Sequence, residues 1–363
     1  MGRSRVWSKQ AFLALTALSV GVLGWSVALA APPTAASGKP RSKAASVTSA
    51  AIALPPAEAG AWSASIVPST LLSLAAVGAD VYAGMSGGGL LKSSDHGQHF
   101  RALASPSAKS LWARSESEVY AGYANVISRS TDHGQTWQEV TLAAKFRLSA
   151  LWGTGTTEVY VAGSTDAPPL VYYSKDSGKT FEARKVGPES GLLLAIGGSG
   201  PKEVVVGGAD ISASKALLFR STDQGKHWSK LAIPKSPTEY ATSSINGVCF
   251  TRSGKLFVAT SESVFISRDK GAHWKLAVSS NNAELLALVC HDSEVFVATR
   301  GHTVLHSSDD GARWSPLELA SALPDAPYGA FQAVGVGSDG ALYVGGEGTY
   351  QPITGAIYRR AGK

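Results

Sequence analysis

Short apolar runs punctuated by glycine and polar turns recur at near-even spacing along residues 61–363. One run alternates β-branched and aromatic positions: Val81-Tyr82-Ala83-Gly84, Val119-Tyr120-Ala121-Gly122, Val159-Tyr160-Val161-Ala162-Gly163 and Val204-Val205-Val206-Gly207-Gly208. It returns as Leu256-Phe257-Val258-Ala259-Thr260, Val295-Phe296-Val297-Ala298-Thr299 and Leu342-Tyr343-Val344-Gly345-Gly346. Such runs predict strands. Another apolar segment precedes most copies, as in Ser110-Leu111-Trp112 and Ala150-Leu151-Trp152, and a third follows, as in Val126-Ile127 and Leu217-Leu218-Phe219.

After the third run comes an eight-residue phrase, Ser-x-Asp-x-Gly-x-x-Trp/Phe, present six times. It reads Ser93-Asp95-Gly97-Phe100, Ser130-Asp132-Gly134-Trp137, Ser174-Asp176-Gly178-Phe181, Ser221-Asp223-Gly225-Trp228, Ser267-Asp269-Gly271-Trp274 and Ser307-Asp309-Gly311-Trp314. Ordinary residue usage produces one such match in roughly 10^5 positions, so six are not chance. Ser and Asp side chains accept backbone N–H groups two or three residues on, and Gly supplies positive φ. The phrase is a turn into a fourth strand, with the aromatic ring expected to be buried between neighbouring units. Seven second-strand echoes at about 43 residues per unit predict an all-β, seven-bladed β-propeller of four-stranded antiparallel blades. The seventh unit lacks the phrase, and Trp62–Val67 is placed to supply its missing outer strand and close the ring.

Arg3, Arg5 and Lys9 precede an apolar run from Ala11 to Ala30 that ends in small residues. Residues 1–30 therefore predict a signal peptide, which as an uncleaved segment would anchor the chain to a membrane. Residues 31–60, rich in Ala, Pro and Ser, predict a disordered linker, and 61–363 the propeller. The expected location is periplasmic or extracellular. The formal charge of +6 comes mostly from residues 1–60, which hold six basic residues against Glu58 alone. The propeller is nearly neutral and has no obvious basic stripe for nucleic acid.

Cys249 and Cys290 occupy what read as matching inner-strand places in blades five and six. Matching places in rotated blades point the same way round the ring, which favours two buried thiols; an oxidising compartment keeps a bridge open.

The phrase resembles the Asp box, or bacterial neuraminidase repeat, of sialidases, sortilin-type propellers, xyloglucan-cleaving glycosidases and photosystem II assembly-factor-like proteins. The Leu-Trp, Val-Tyr-Ala-Gly and Ser-Thr-Asp-x-Gly strings are most similar to exported bacterial repeat proteins grouped with the last set. In these families the box is a structural turn on the face opposite the usual ligand face. The sialidase pattern is incomplete: its Arg-Ile-Pro phrase is missing, and Phe146-Arg147-Leu148 reads as a strand start near the ring axis. Most carboxylates read as box aspartates or as hairpin residues such as Glu118, Glu158, Glu203 and Glu294. His96, His133, His99, His227 and His273 recur with the box, while His291, His302 and His306 lack ligand spacing, so no metal or cofactor is expected. The ligand face would carry longer loops holding Glu239, Tyr240, Asp325, Tyr328, Glu347 and Tyr350. These suit a protein partner or an extracellular glycan. The expected function is a non-catalytic binding or assembly scaffold, the alternative a sialidase-like glycoside hydrolase or lectin.

Overall fold

The computed structural model describes residues 62–362, apart from 105, 166–167, 188–189, 211, 234–243, 281–282, 302, 320–329 and 351–352. The expected signal peptide and linker lie outside these residues. The strands form seven four-stranded antiparallel sheets, the seven blades expected from the repeat. Blades 1 to 6 run consecutively, at 71–103, 110–141, 147–185, 192–230, 245–279 and 285–318. Blade 7 takes three strands from 331–360, and Trp62–Val67 pairs along Ile353–Arg360, from Trp62↔Arg360 to Val67↔Gly355. Two ends of the propeller thus share one sheet, which is how the ring closes.

The innermost strands touch their neighbours all the way round, including the last against the first. Six of them skip one residue at the same place: Leu72, Ser149, Leu194, Asn246, Leu286 and Gln332 stand unpaired against the second strand. A bulge there bends and twists the strand. Alternating strand direction puts the first–second and third–fourth hairpins on one face, here the turn face. The second–third loops and the blade-to-blade crossings share the other, the crossover face.

Burial redistributes the expected aromatic packing. Second strands supply five of the completely buried rings, Tyr82, Tyr120, Tyr160 and Phe257 at 0 % exposure and Tyr343 at 1 %, and Tyr358, Phe146 and Phe331 are buried as fully. The turn-phrase rings Phe100, Trp137, Phe181, Trp228, Trp274 and Trp314 are only half-buried. Trp137, Phe181 and Trp228 lie beside the glycine of their own turn, at Gly134, Gly178 and Gly225, and so cap the seam rather than fill it.

The cysteines form a disulfide, with Cα atoms 5.7 Å apart, which corrects the expectation of two thiols. The two places do not match. Cys249 stands opposite Phe257, whereas in blade 6 the residue opposite the equivalent Phe296 is Val289, and Cys290 comes one later, opposite Val295. One residue of offset turns a side chain to the other face of its strand, so both sulfurs enter the same seam.

Candidate functional site

On the turn face the repeat builds one hydrogen-bonded device six times. In blade 2, Ser130 Oγ donates to Asp132 Oδ1 (2.7 Å) and accepts the Gly134 N–H (2.8 Å). Asp132 Oδ1 also accepts the Thr136 N–H (2.8 Å), and the Thr136 hydroxyl donates to Oδ2 (2.5 Å). Thr180 fills that last role in blade 3, His99, His227 and His273 in blades 1, 4 and 5, and Arg313 in blade 6. The imidazoles are therefore part of the turn, although His227 and His273 remain 90 % exposed. The hydroxyl and backbone bonds from Thr136 hold the Asp132 pKa at about 2, and the His273 N–H leads the same effect on Asp269.

Positive φ is needed at two successive residues, not at glycine alone: His133 (59°) precedes Gly134 (76°), and the other five turns repeat the pair. This geometry aims the carbonyl of the first residue at the preceding blade. His96 O accepts from Tyr343 Oη (3.0 Å), His133 O from Lys92 Nζ (2.9 Å) and Ser177 O from Tyr120 Oη (3.0 Å). Gln224 O takes Arg184, and Asp310 O takes Lys255 (3.3 Å). In blade 5 the Lys270 side chain reaches Glu203 instead, at 2.9 Å. Burial and the Glu118 bond push the Tyr120 hydroxyl up to about 12, so it stays a donor.

The carboxylates read as hairpin residues belong to the same seams. Glu118 accepts from Arg114, Arg129 and Tyr120, and Glu203 from Ser199, Arg220 and Lys270. Asp80, 5 % exposed, pairs with Lys92 at 2.7 Å and His133 at 3.1 Å. Burial works against the Asp80 carboxylate, but those two bonds outweigh it and keep its pKa below the usual range. A hollow of about 520 Å³ opens on this face across blades 3 to 6, lined by Trp152, Thr154, Ser199, Phe250, Arg252 and Asp292 among others. Its hydroxyls already serve the fold: Thr154 and Thr156 donate to Glu158, and Ser199 to Glu203. Among the described residues no group of three or more His, Cys, Asp or Glu side chains could hold a metal ion.

The crossover face is built differently. Tyr123, at the end of the second strand of blade 2, is 46 % exposed, and Leu192, at the start of the inner strand of blade 4, is 36 % exposed. Arg147, exposed at the start of the inner strand of blade 3, lies between them. The adjacent Leu148 N–H donates to Ala124 O (2.8 Å) beside Tyr123. On the other side, Arg147 pairs in register with Ser164, whose Oγ accepts the Leu193 N–H (3.2 Å). Lys109 joins from blade 2, its N–H bonded to Gly122 O at 2.8 Å. Burial pulls the Lys109 ammonium below the usual lysine range. Neither Arg147 nor Lys109 has a side-chain hydrogen bond or ion pair among the described residues. Two apolar and two cationic side chains thus lie as a strip over blades 2 to 4, on strand ends that hydrogen bonds link from blade to blade.

Of the loop residues expected on this face, Glu239, Tyr240, Asp325 and Tyr328 lie outside the described residues. Glu347 accepts from Gln332 Nε2 at 3.2 Å in blade 7, and Tyr350 pairs in register with Ile353. Tyr123, Leu192 and Lys109 were not singled out by sequence. Leu192 takes the strand-start place that Arg147 holds in blade 3, and Tyr123 ends a second strand where blades 3, 4 and 7 have glycine, so the exposure of these side chains depends on the adjoining blades.

Residues 101–280 match the model of the DUF6242 beta propeller domain, and residues 237–360 match that of photosynthesis system II assembly factor YCF48. No curated protein matches the chain. Among solved structures, YCF48 bound to D1 peptide aligns with a TM-score of 0.63 at 18% identity, over 87% of this chain and 100% of that one. YCF48 from Cyanidioschyzon merolae gives 0.57 at 13%, over 83% and 98%. An ancestral GH74 enzyme gives 0.54 at 13%, over 74% of this chain and 40% of its own. At these identities the structural likenesses show the fold.

Proposed function

We propose that this BNR-like seven-bladed propeller, similar to the photosystem II assembly-factor propellers, is a non-catalytic scaffold that holds a segment of a protein partner on its crossover face. The observation that carries this reading is the Tyr123–Arg147–Leu192 strip with Lys109, whose cations have no described partner and whose apolar groups face solvent. Aromatic, arginine and aliphatic groups side by side are the make-up of protein-binding surfaces. An extended segment bearing acidic and apolar side chains complements them. The likeness to YCF48 bound to D1 peptide supports a peptide as the ligand class. The signal-like N-terminus and the disulfide support export to an oxidising compartment.

The turn-face hollow and the likeness to a GH74 enzyme support the second reading, a glycan-active or glycan-binding protein. Two assays on the same preparation separate the two. The scaffold reading expects selective binding on an array of acidic peptides, lost in Arg147→Glu with Tyr123→Ala, and no turnover of fluorogenic glycosides. Turnover that disappears on replacing one acidic residue would overturn it, and glycan-array binding without peptide binding would favour a lectin.

A further inference from the structure

The Cys249–Cys290 bridge joins the innermost strands of blades 5 and 6 near their turn-face ends, where it immediately precedes the residues lining the hollow. Phe250, Thr251 and Arg252 follow Cys249 on one side, and Asp292 follows Cys290 on the other. Both cysteines are partly exposed, so a reductant can reach the bond without unfolding.

The same seam has bonds elsewhere along its length. At the crossover end Asn246 Nδ2 donates to Leu285 O (2.8 Å), and the Leu285 N–H donates to Ser261 O (2.8 Å). On the turn-face side Lys255 pairs with Asp310 at 3.0 Å. Beside the bridge itself the described residues give one cross-seam backbone bond, Arg252 N–H to Asp292 O at 2.9 Å, while the Arg252–Asp292 side-chain pair is long (3.5 Å) and well exposed. That exposed side-chain pair is of little worth, and what else meets around the bridge is apolar packing, with Leu288 and Phe257 among the side chains, which holds the seam without bonding one strand to the other. Breaking the bridge would therefore leave the ring closed and free one spot, the rim of the hollow.

We propose that the bridge is a redox-sensitive clasp that sets the hollow's width at the blade 5–6 seam. A dithiol reductant supplies the two electrons and two protons. One of its thiolates attacks a protein sulfur, the S–S bond breaks through a mixed disulfide, and its second thiol closes the reductant's own disulfide, leaving Cys249 and Cys290 as thiols.

The test is hydrogen exchange read by mass spectrometry on the folded chain, with and without dithiothreitol, and on Cys249→Ser/Cys290→Ser without reductant. Thiol titration under native conditions should find both cysteines only after reduction. Protection should be lost within residues 247–254 and 287–292 in the reduced protein and in the double variant alike, with blades 1 to 3 unchanged and circular dichroism retained. A bridge that resists native reduction would overturn the proposal. So would unchanged protection in those strands, or loss of protection through every blade, which would make the bridge the closure of the ring.

Discussion

The turn face and the crossover face are made from the ends of the same strands, yet they use polar groups in opposite ways. On the turn face nearly every side chain that could do chemistry is bonded inward: serines to aspartates, aspartates to backbone, buried tyrosines and cations to the next blade's carbonyl. On the crossover face Arg147 and Lys109 stand without described partners beside Tyr123 and Leu192. One face stores stability, and the other presents a surface. A repeat conserves its own joints six times over, so the place to look for function is where one blade departs from its siblings.

The contrast breaks most visibly if turn-face interiors prove dispensable. Tyr160 is fully buried, lies 5.6 Å from the Trp152 ring and donates to Pro201 O at 2.8 Å. Tyr160→Ala should cost about 3–5 kcal/mol in denaturant unfolding, the usual range for a large aromatic in a core. Ser221→Ala is a smaller cut at the same face. It strands the buried Gly225 N–H, bonded at 2.7 Å, and should cost about 1–3 kcal/mol.

Proton titration probes the six turns together. Asp95, Asp132, Asp176 and Asp269 sit at about 2 in the folded chain against an ordinary 3.8. Because the folded pKa lies below the unfolded one, the stabilisation is complete above the unfolded value and is lost as pH falls through the folded one. Thermal midpoints should hold level above about pH 5 and drop between about pH 4 and pH 2. A level profile down to pH 2 would mean the turn carboxylates contribute nothing.

The smallest effects sharpen the comparison. Tyr123→Ala and Arg147→Glu should each change stability by no more than about 0.5 kcal/mol, as exposed positions do, while abolishing selective peptide binding. His227→Ala should also stay within about 0.5 kcal/mol, since its 2.6 Å bond to Asp223 is solvent-exposed. Trp228→Ala, removing a half-buried ring, should lose clearly more; equal losses would give the histidine a larger role than turn closure.

Blade number and strand order were legible because each rests on a local pattern repeated many times, and closure by Trp62–Val67 because the seventh unit lacks its turn phrase and outer strand. Errors arose where the answer depends on one residue of register or on the neighbouring blade. Cys249 and Cys290 both fall late in an inner strand, but the hairpins that follow them differ in length, and only pairing against Phe257 and Val295 reveals the offset that joins them. The burial of Trp137 was overestimated and that of Tyr82 passed over, because both rings meet at a seam invisible within either repeat. Tyr123 reads as one more strand aromatic until the adjoining blade leaves it uncovered.

Hydrogen exchange along the whole chain, with and without the tightest peptide from the array at saturation, tests the division between faces most directly. Protection should rise around residues 122–124, 145–149 and 190–193 and stay unchanged in the six turns. Protection appearing instead at 154–156, 199–201 and 252–254, in the turn-face hollow, would contradict the account.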